Sequence, residues 1–169
     1  ALENTFLAFL AFCFIAGAVY IMNDIHDADC DRVHEEKRKR PIASGALPLW
    51  AATLEASILL YLSIGLATNV DKRLLVCLII YFVLQVLYTL WLKNIVLVDV
   101  FLIAAGFVLR VYGGAVAANV DASTWMLVCT FAVALLLALC KRHSELMLLG
   151  ENASKHRRVL ADYSKEFLN

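Results

Sequence analysis

Five apolar segments follow one another along this 169-residue chain, and each is about as long as a helix that crosses a bilayer. Such a helix needs roughly 20 residues to cross a hydrocarbon layer about 30 Å thick. The segments show no period-two alternation, which argues against barrel strands. Backbone groups in lipid must also bond within the chain, so the sequence predicts an all-α, polytopic bundle of transmembrane helices. The predicted spans are residues 5–22, 49–68, 74–92, 95–118 and 124–140.

The composition supports a membrane protein. Hydrophobic residues make up 62% of the chain and charged residues 18%. A soluble domain has roughly 45–50% apolar and about 25% charged residues, so this chain has too few polar groups to cover a surface that faces water. We therefore exclude a soluble enzyme, a disordered tail and a nucleic-acid-binding module.

The charges cancel in number but not in position. Fifteen Lys and Arg residues balance fifteen Asp and Glu residues. Twelve of the fifteen cations follow the first, third and fifth spans, which places them on one face of the membrane. Only Lys72 and Arg73 belong to the opposite face, and Arg110 lies inside the fourth span. The positive-inside rule predicts that the face with twelve cations is cytoplasmic.

An acidic segment continues directly from the first span, with no Gly or Pro to end the helix. If it is helical, Asn23, Asp24, Asp27 and Asp31 fall within an arc of about 100°, and Asp29 points to the opposite side. Aligned carboxylates repel one another unless a cation lies between them. Because Mg²⁺ prefers oxygen ligands and leaves positions open for phosphate oxygens, the pattern favours a metal and diphosphate site. The alternative is a solvated, charged helix end.

Four consecutive cations occupy positions 37–40, immediately after the acidic segment. Pro41 and Gly45 bound a loop that is expected to bring these cations back over the acidic helix. Beside aligned acids, such cations are predicted to bind phosphate oxygens. The candidates are Lys37, Arg38 and Arg40. A simple topology signal, or a contact with anionic lipid, is the alternative.

Further candidates lie in and after the later spans. An ionisable residue inside a membrane is costly, so Arg110 is a candidate site residue, with Asp99 or a substrate phosphate as its partner. Glu145 is a candidate metal or ribose ligand, with an ordinary ion pair to Lys141 as the alternative. Lys93 could instead extend to the interface, and Tyr88 could belong to the aromatic belt. The glycine pair at 113–114 is a candidate for close helix packing.

These motifs resemble those of the UbiA prenyltransferase superfamily. The spacing Asn23-Asp24-x-x-Asp27-x-x-x-Asp31 resembles its first aspartate-rich motif. The continuation through Arg40-Pro41-Ile42-Ala43-x-Gly45 is more similar to the branch of polyprenyl-phosphate (decaprenyl-like) phosphoribosyltransferases. Further matches are Tyr88 with Lys93, the stretch 109–114 and the second polar motif at 141–146. Aromatic prenyltransferases tend to have a Tyr-x-x-x-Lys spacing and a second DxxxD motif. This sequence instead has four residues between Tyr88 and Lys93, and it has no second DxxxD motif.

The resemblance implies an Mg²⁺-dependent membrane enzyme that transfers 5-phosphoribose from phosphoribosyl diphosphate to a polyprenyl phosphate, for cell-wall arabinan precursors. It implies that Asp24, Asp27 and Asp31 hold Mg²⁺ as catalytic residues, with Glu145 as a further metal ligand. The implied substrate-binding residues are Asn23, Lys37, Arg38, Arg40, Tyr88, Lys93, Arg110, Lys141 and Arg142. Prenyl transfer to an aromatic or other acceptor is the nearest alternative, and a cation transporter is a more distant one.

The resemblance also implies a bacterial inner membrane and is compatible with a homo-oligomer. The chain is expected to form one integral-membrane domain over residues 1–169. Within it, residues 23–45 form the acidic and basic motif segment, and residues 141–169 form a helical segment on the cytoplasmic side. Because the family fold has about nine helices, five spans are expected to be part of a longer protein.

Overall fold

The computed structural model describes residues 1–95 and 97–149, apart from the side chains of residues 94, 145, 146, 148 and 149. These ranges contain helices and no strand, as the sequence predicts. Two short 3₁₀ turns, Lys37–Lys39 and Leu92–Asn94, lie in the connections. The five α-helices are α1 (Leu2–Val33), α2 (Leu49–Val70), α3 (Lys72–Leu90), α4 (Val98–Ala118) and α5 (Thr124–Leu149).

All five helices are long and apolar enough to cross a membrane, which confirms the predicted number and order of spans. The largest differences are at the ends of α1 and α5. The helix α1 continues for eleven residues past the apolar segment, and α5 continues past Cys140 to Leu149. Loss of hydrophobicity therefore ends a span without ending the helix, because polar side chains are compatible with helical backbone. The predicted tail beyond Leu149 lies outside the described residues.

The chain divides into two compact units. The first contains Ala1–Phe82 and Gly113–Val120, and the second contains Val83–Tyr112 and the chain from Asp121 onward. In the first unit α1 packs against α2. Small side chains occur at this contact, where Ala28 of α1 clusters with Ala52 of α2, and small side chains let two backbones approach closely. The buried alanines of these helices are Ala8, Ala11, Ala18, Ala28, Ala52, Ala56 and Ala67.

A buried hydrogen bond joins α1 and α2. The hydroxyl of Ser63 donates to the carbonyl oxygen of Ala11 at 2.9 Å, and Ser63 is fully buried. A helix carbonyl already accepts a bond from its own helix, so this second bond uses its remaining lone pair. The bond thereby fixes the position of one helix relative to the other.

Close packing of α4 in the first unit depends on Gly113. A Cβ atom at this position would lie 2.6 Å from Cε2 of Phe12, closer than atoms can approach. The ring of Phe12 is itself held edge-on against Tyr81, with ring centroids 5.9 Å apart. At Gly114 a Cβ atom would meet nothing within 4 Å. Of the two predicted packing glycines, only Gly113 lies at a close contact.

The connection between α2 and α3 is a single residue, Asp71, which caps α3. Its Oδ1 accepts a hydrogen bond from the backbone N–H of Arg73 at 2.7 Å. The guanidinium of Arg73 donates to the same carboxylate at 3.2 and 3.0 Å. These bonds from the side chain and backbone of Arg73 lower the pKa of Asp71. The carboxylate therefore stays charged at the helix N-terminus, where a negative charge is favourable.

Candidate active site

The acidic segment forms the last three turns of α1 and has two different faces. The side chain of Asp31 is 5% exposed and that of Asp24 is 31% exposed, whereas Asp29 is 93% exposed. Asp29 forms its ion pair with Arg32 on the outside of the helix, at 2.9 Å. The predicted division of the carboxylates between two faces is therefore observed for these three residues.

Arg40 joins the two inward-facing carboxylates. Its Nη1 atom donates to Oδ1 of Asp24 and to Oδ2 of Asp31, each at 2.9 Å. The two acids are seven residues apart, which is about two turns of helix, so a single nitrogen bridges two carboxylates that lie two turns apart on one face. A cation therefore lies between these two acids, and it is an arginine from the basic segment rather than the metal that the spacing favours.

An apolar cluster holds the basic segment in place. Ile42, two residues after Arg40, is buried against Ala28 of α1 and Ala52 of α2. Ile21, Ile25 and Leu47 pack around this cluster. Because Ile42 is anchored in the contact between two helices, the backbone at Arg40 is held over the acidic face. The loop therefore returns Arg40 to the acidic face of α1, as the sequence predicts for the basic segment.

Polar contacts complete the anchoring of the loop. His34 ends α1, and its Nδ1 accepts hydrogen bonds from the backbone N–H groups of Glu36 and Lys37 at 3.3 and 3.4 Å. Nε of Arg32 donates to the carbonyl oxygen of Ala43 at 3.4 Å. At Gly45 the backbone has φ = +80°, a conformation that glycine adopts readily. The turn that redirects the chain toward α2 depends on this conformation.

The other basic candidates lie directly before Arg40. Lys37 is half-buried and Arg38 is exposed, and both belong to the 3₁₀ turn Lys37–Lys39. Asn23 and Asp27 are half-buried on α1. The roles predicted for these residues in binding phosphate or metal stay predictions.

The donor set on this face suits Mg²⁺ bound together with a diphosphate. Mg²⁺ is usually held by one or two carboxylates, with water and substrate phosphates as its other ligands. The face offers the carboxylates of Asp24 and Asp31, which already share one cationic nitrogen. Among the residues that the structure describes, no three Asp, Glu, His or Cys side chains gather around a single point. A site formed by Asp24, Asp27 and Asp31 together therefore stays a prediction.

The second unit contains a buried ion pair that the sequence did not predict. Nε of Arg142, on α5, lies 3.7 Å from Oδ2 of Asp99, on α4. The side chains are 2% and 0% exposed. Asp99 is the second residue of α4, where the helix dipole favours a negative charge. From the sequence, Asp99 was considered only as a partner for Arg110. Arg142 was expected to bind phosphate, and the spacing of the two residues gave no reason to pair them.

The remaining candidates also belong to the second unit. The guanidinium of Arg110 lies over the ring of Phe107, 5.3 Å from its centroid and three residues earlier on α4. Tyr88 and Lys93 are half-buried, and Lys141 is exposed. The side chain of Glu145 lies outside the described residues, so its predicted metal role is a prediction only.

Comparison with known proteins identifies relatives of this chain. The family model described as the UbiA prenyltransferase family matches residues 1–144. The chain is 39% identical to the decaprenyl-phosphate phosphoribosyltransferase of Corynebacterium glutamicum, over 96% of this chain and 49% of the relative. It is 33% identical to the enzyme of the same name from Mycolicibacterium smegmatis, over 96% of this chain and 51% of the relative. The chain thus spans about half the length of these curated relatives.

A solved structure shares the arrangement of helices. A UbiA homolog from Archaeoglobus fulgidus, bound to DMAPP and Mg²⁺, matches with a TM-score of 0.82. The match covers 95% of this chain and 59% of that chain, at 20% sequence identity. At this identity the likeness shows the fold alone.

Proposed function

Because this chain belongs to the UbiA prenyltransferase family, we propose that it is part of an intramembrane phosphoribosyltransferase. The proposed reaction transfers 5-phosphoribose from phosphoribosyl diphosphate to a polyprenyl phosphate. Similarity to decaprenyl-phosphate phosphoribosyltransferases over nearly the whole chain supports this choice of substrates. The observation that carries the site is the bridge from Arg40 to Asp24 and Asp31.

The basic segment would bind the donor. A guanidinium matches phosphate geometry and can donate two parallel hydrogen bonds, whereas an ammonium acts as a compact charge. Lys37 and Arg38 lie on the turn that leads into Arg40, and their backbone is fixed by His34 and the cluster around Ile42. These cations would face a diphosphate held against the acidic end of α1.

In the proposed step, the bond between C1 of the ribose and the diphosphate oxygen breaks, and the electron pair leaves with the diphosphate. An oxygen of the acceptor phosphate forms the new bond to C1. The acceptor phosphate is already ionised near neutral pH, so the step requires no strong general base. Cations fixed around the leaving group stabilise the charge that develops on it, which is usually a large part of catalysis.

Asp24, Asp27 and Asp31 would hold Mg²⁺. When bound, the metal supplies positive charge to the leaving diphosphate. In the second unit Arg110 is the candidate for the acceptor phosphate, because an ionisable residue within a membrane-spanning helix often marks a substrate pathway. The distribution of cations along the sequence supports a site on the cytoplasmic side of a bacterial plasma membrane.

A transfer assay in membranes tests the function. Membranes that contain the protein receive radiolabelled phosphoribosyl diphosphate, polyprenyl phosphate and Mg²⁺, and the lipid fraction is analysed for label. We expect a labelled lipid product that depends on both substrates. Absence of this product, together with activity on a prenyl diphosphate and an aromatic acid, would show that the protein is a prenyltransferase instead.

A pair of variants tests the role of the acidic face. We expect Asp27→Ala to lower transfer at least 100-fold while the protein still inserts into membranes. Asp29→Asn is the matched control, because Asp29 lies on the same helix but is 93% exposed and pairs outward with Arg32. Its activity should stay within about a factor of two of the unmodified protein. Equal effects of the two substitutions would show that the inward-facing side of α1 has no special role in transfer.

A further inference from the structure

One nitrogen of Arg40 occupies the place between two carboxylates that lie two turns apart on one face of α1. Nη1 lies 2.9 Å from an oxygen of Asp24 and 2.9 Å from an oxygen of Asp31. The side chain of Asp31 is almost fully buried, whereas that of Arg40 is 38% exposed. The acid at one end of this contact is therefore fixed, and the arginine can reach solvent.

The same place cannot hold Arg40 and a divalent cation together. Mg²⁺ binds carboxylate oxygens at about 2.0–2.1 Å, closer than the nitrogen does. A metal shared by Asp24 and Asp31 would therefore draw the two oxygens together and overlap with Nη1. Two cations at this separation would also repel each other strongly. Arg40 must move off at least one carboxylate before both can bind the metal.

Arg40 can move without unfolding the loop. Ile42 anchors the backbone in the cluster with Ala28 and Ala52, and Pro41 restricts it further. Only the long side chain of Arg40 has to rotate. Phosphate oxygens would offer its guanidinium the same kind of charge-assisted hydrogen bond that the carboxylates provide now. A bound diphosphate would therefore replace the hydrogen bonds that Arg40 loses when it leaves the carboxylates.

We propose that Arg40 is an exchangeable counter-ion, which stabilises the paired carboxylates until metal and diphosphate arrive together and then transfers to the diphosphate. This inference rests on the proposed use of a diphosphate donor. It makes Arg40 a positioning residue for the metal ligands as well as a phosphate ligand. Metal alone must displace Arg40 without compensation, so it binds weakly. Metal with diphosphate binds tightly, because both cations keep anionic partners, and the coupling between them is reciprocal.

Two binding measurements on the purified, detergent-solubilised protein test the inference. The first follows Mn²⁺ alone, from the electron paramagnetic resonance signal of the free ion. The second follows inorganic pyrophosphate by calorimetry at saturating Mg²⁺. For Arg40→Gln we expect Mn²⁺ to bind about tenfold more tightly, because its competitor is gone. We expect Mg²⁺-pyrophosphate to bind at least tenfold more weakly, because a ligand to phosphate is gone.

Opposite changes in the two affinities are the signature of exchange. If Arg40 only held the loop, both affinities would fall; if it only bound phosphate, Mn²⁺ affinity would not change. Either result overturns the inference, and so does undetectable Mn²⁺ binding by Arg40→Gln. Arg40→Lys keeps the charge and should keep weak Mn²⁺ binding, even if Arg40→Gln folds poorly. Arg73→Gln, which removes an exposed ion pair with Asp71, is the control that should change neither affinity.

The binding signature is independent of the proposed transfer. If the membrane assay fails for phosphoribosyl diphosphate but Arg40→Gln shows opposite changes, the donor assignment is wrong and the exchange stands. If transfer succeeds and Mn²⁺ affinity does not rise in Arg40→Gln, the exchange is wrong and the function stands.

Discussion

Arg142 and Asp99 form an ion pair inside the second unit, with Nε of the arginine 3.7 Å from Oδ2 of the carboxylate. Both side chains are almost completely buried. Removing two charges from water is expensive, and the opposite charge of the partner offsets part of that cost for each side chain. The pair joins the beginning of α4 to the part of α5 that continues beyond its predicted span.

Removal of one partner of this pair should destabilise the protein strongly. We expect Asp99→Asn or Arg142→Met alone to lower the free energy of unfolding by about 3 kcal/mol or more, because the remaining group loses its counter-ion. The double variant Asp99→Asn with Arg142→Met should lose less than the sum of the two single variants, because neither charge is then left alone. Unfolding in mixed micelles measures these values. Single effects below about 1 kcal/mol would mean that the pair contributes little.

The two adjacent glycines of α4 should respond differently to alanine. Gly113→Ala would bring a methyl group against Phe12, whose ring is held by Tyr81, and should cost about 1–3 kcal/mol of stability. Gly114→Ala meets no neighbouring atom and should be neutral or gain up to about 1 kcal/mol from helix propensity. Thermal unfolding in detergent distinguishes them. Equal shifts would contradict close packing at Gly113.

The buried hydroxyl of Ser63 should contribute to the contact between α1 and α2. Ser63→Ala loses the hydrogen bond to Ala11, and we expect a cost of about 0.6 kcal/mol, the average for such bonds between membrane helices. Ser57→Ala is the control, because the exposed Ser57 hydroxyl donates to the carbonyl oxygen of Thr53 in its own helix. The difference in free energy of unfolding between the two variants measures the interhelical bond. A difference near zero would count against it.

The left-handed backbone at Gly45 should matter for activity. Gly45→Ala meets no atom within 4 Å, so its expected cost of about 1–2 kcal/mol comes from backbone strain alone. Relief of this strain would shift the loop that carries Arg40, and KM for the donor should rise. Gly65→Ala, in the helix α2 and also without close neighbours, should leave KM unchanged. A normal KM in Gly45→Ala would show that the loop tolerates the change.

Much of the site could be predicted, because the patterns that indicate it lie within one short segment of the sequence. Carboxylates spaced three, four or seven residues apart share a helix face wherever the backbone is helical, so Asp24 and Asp31 could be grouped from their spacing. Pro41 and Gly45 indicated a loop after the cations, and the loop returns to α1 as expected. The outward position of Asp29 follows from the same helical period.

Contacts between separate elements could not be predicted in this way. Helical periodicity relates residues within one helix, so it could not link Asp99 of α4 to Arg142 of α5. In the sequence Arg142 was one of several cations that follow the last span. The anchor formed by Ile42 was equally hidden, because one apolar residue in a loop gives no pattern. Sequence alone also did not distinguish Gly113 from Gly114, since only the position of the Phe12 ring separates them.

The sequence by itself determined the five spans, the helical character of the chain and the concentration of acids and cations in one segment. Segment length, hydrophobicity and helical period are local properties, and the bilayer imposes the same length on every span. The tertiary structure decided which cation lies between Asp24 and Asp31 and which acid accompanies Arg142. These partners were set by tertiary packing. A charge becomes buried where α1 meets the basic loop and where α4 meets α5, and a buried charge requires an opposite charge close to it.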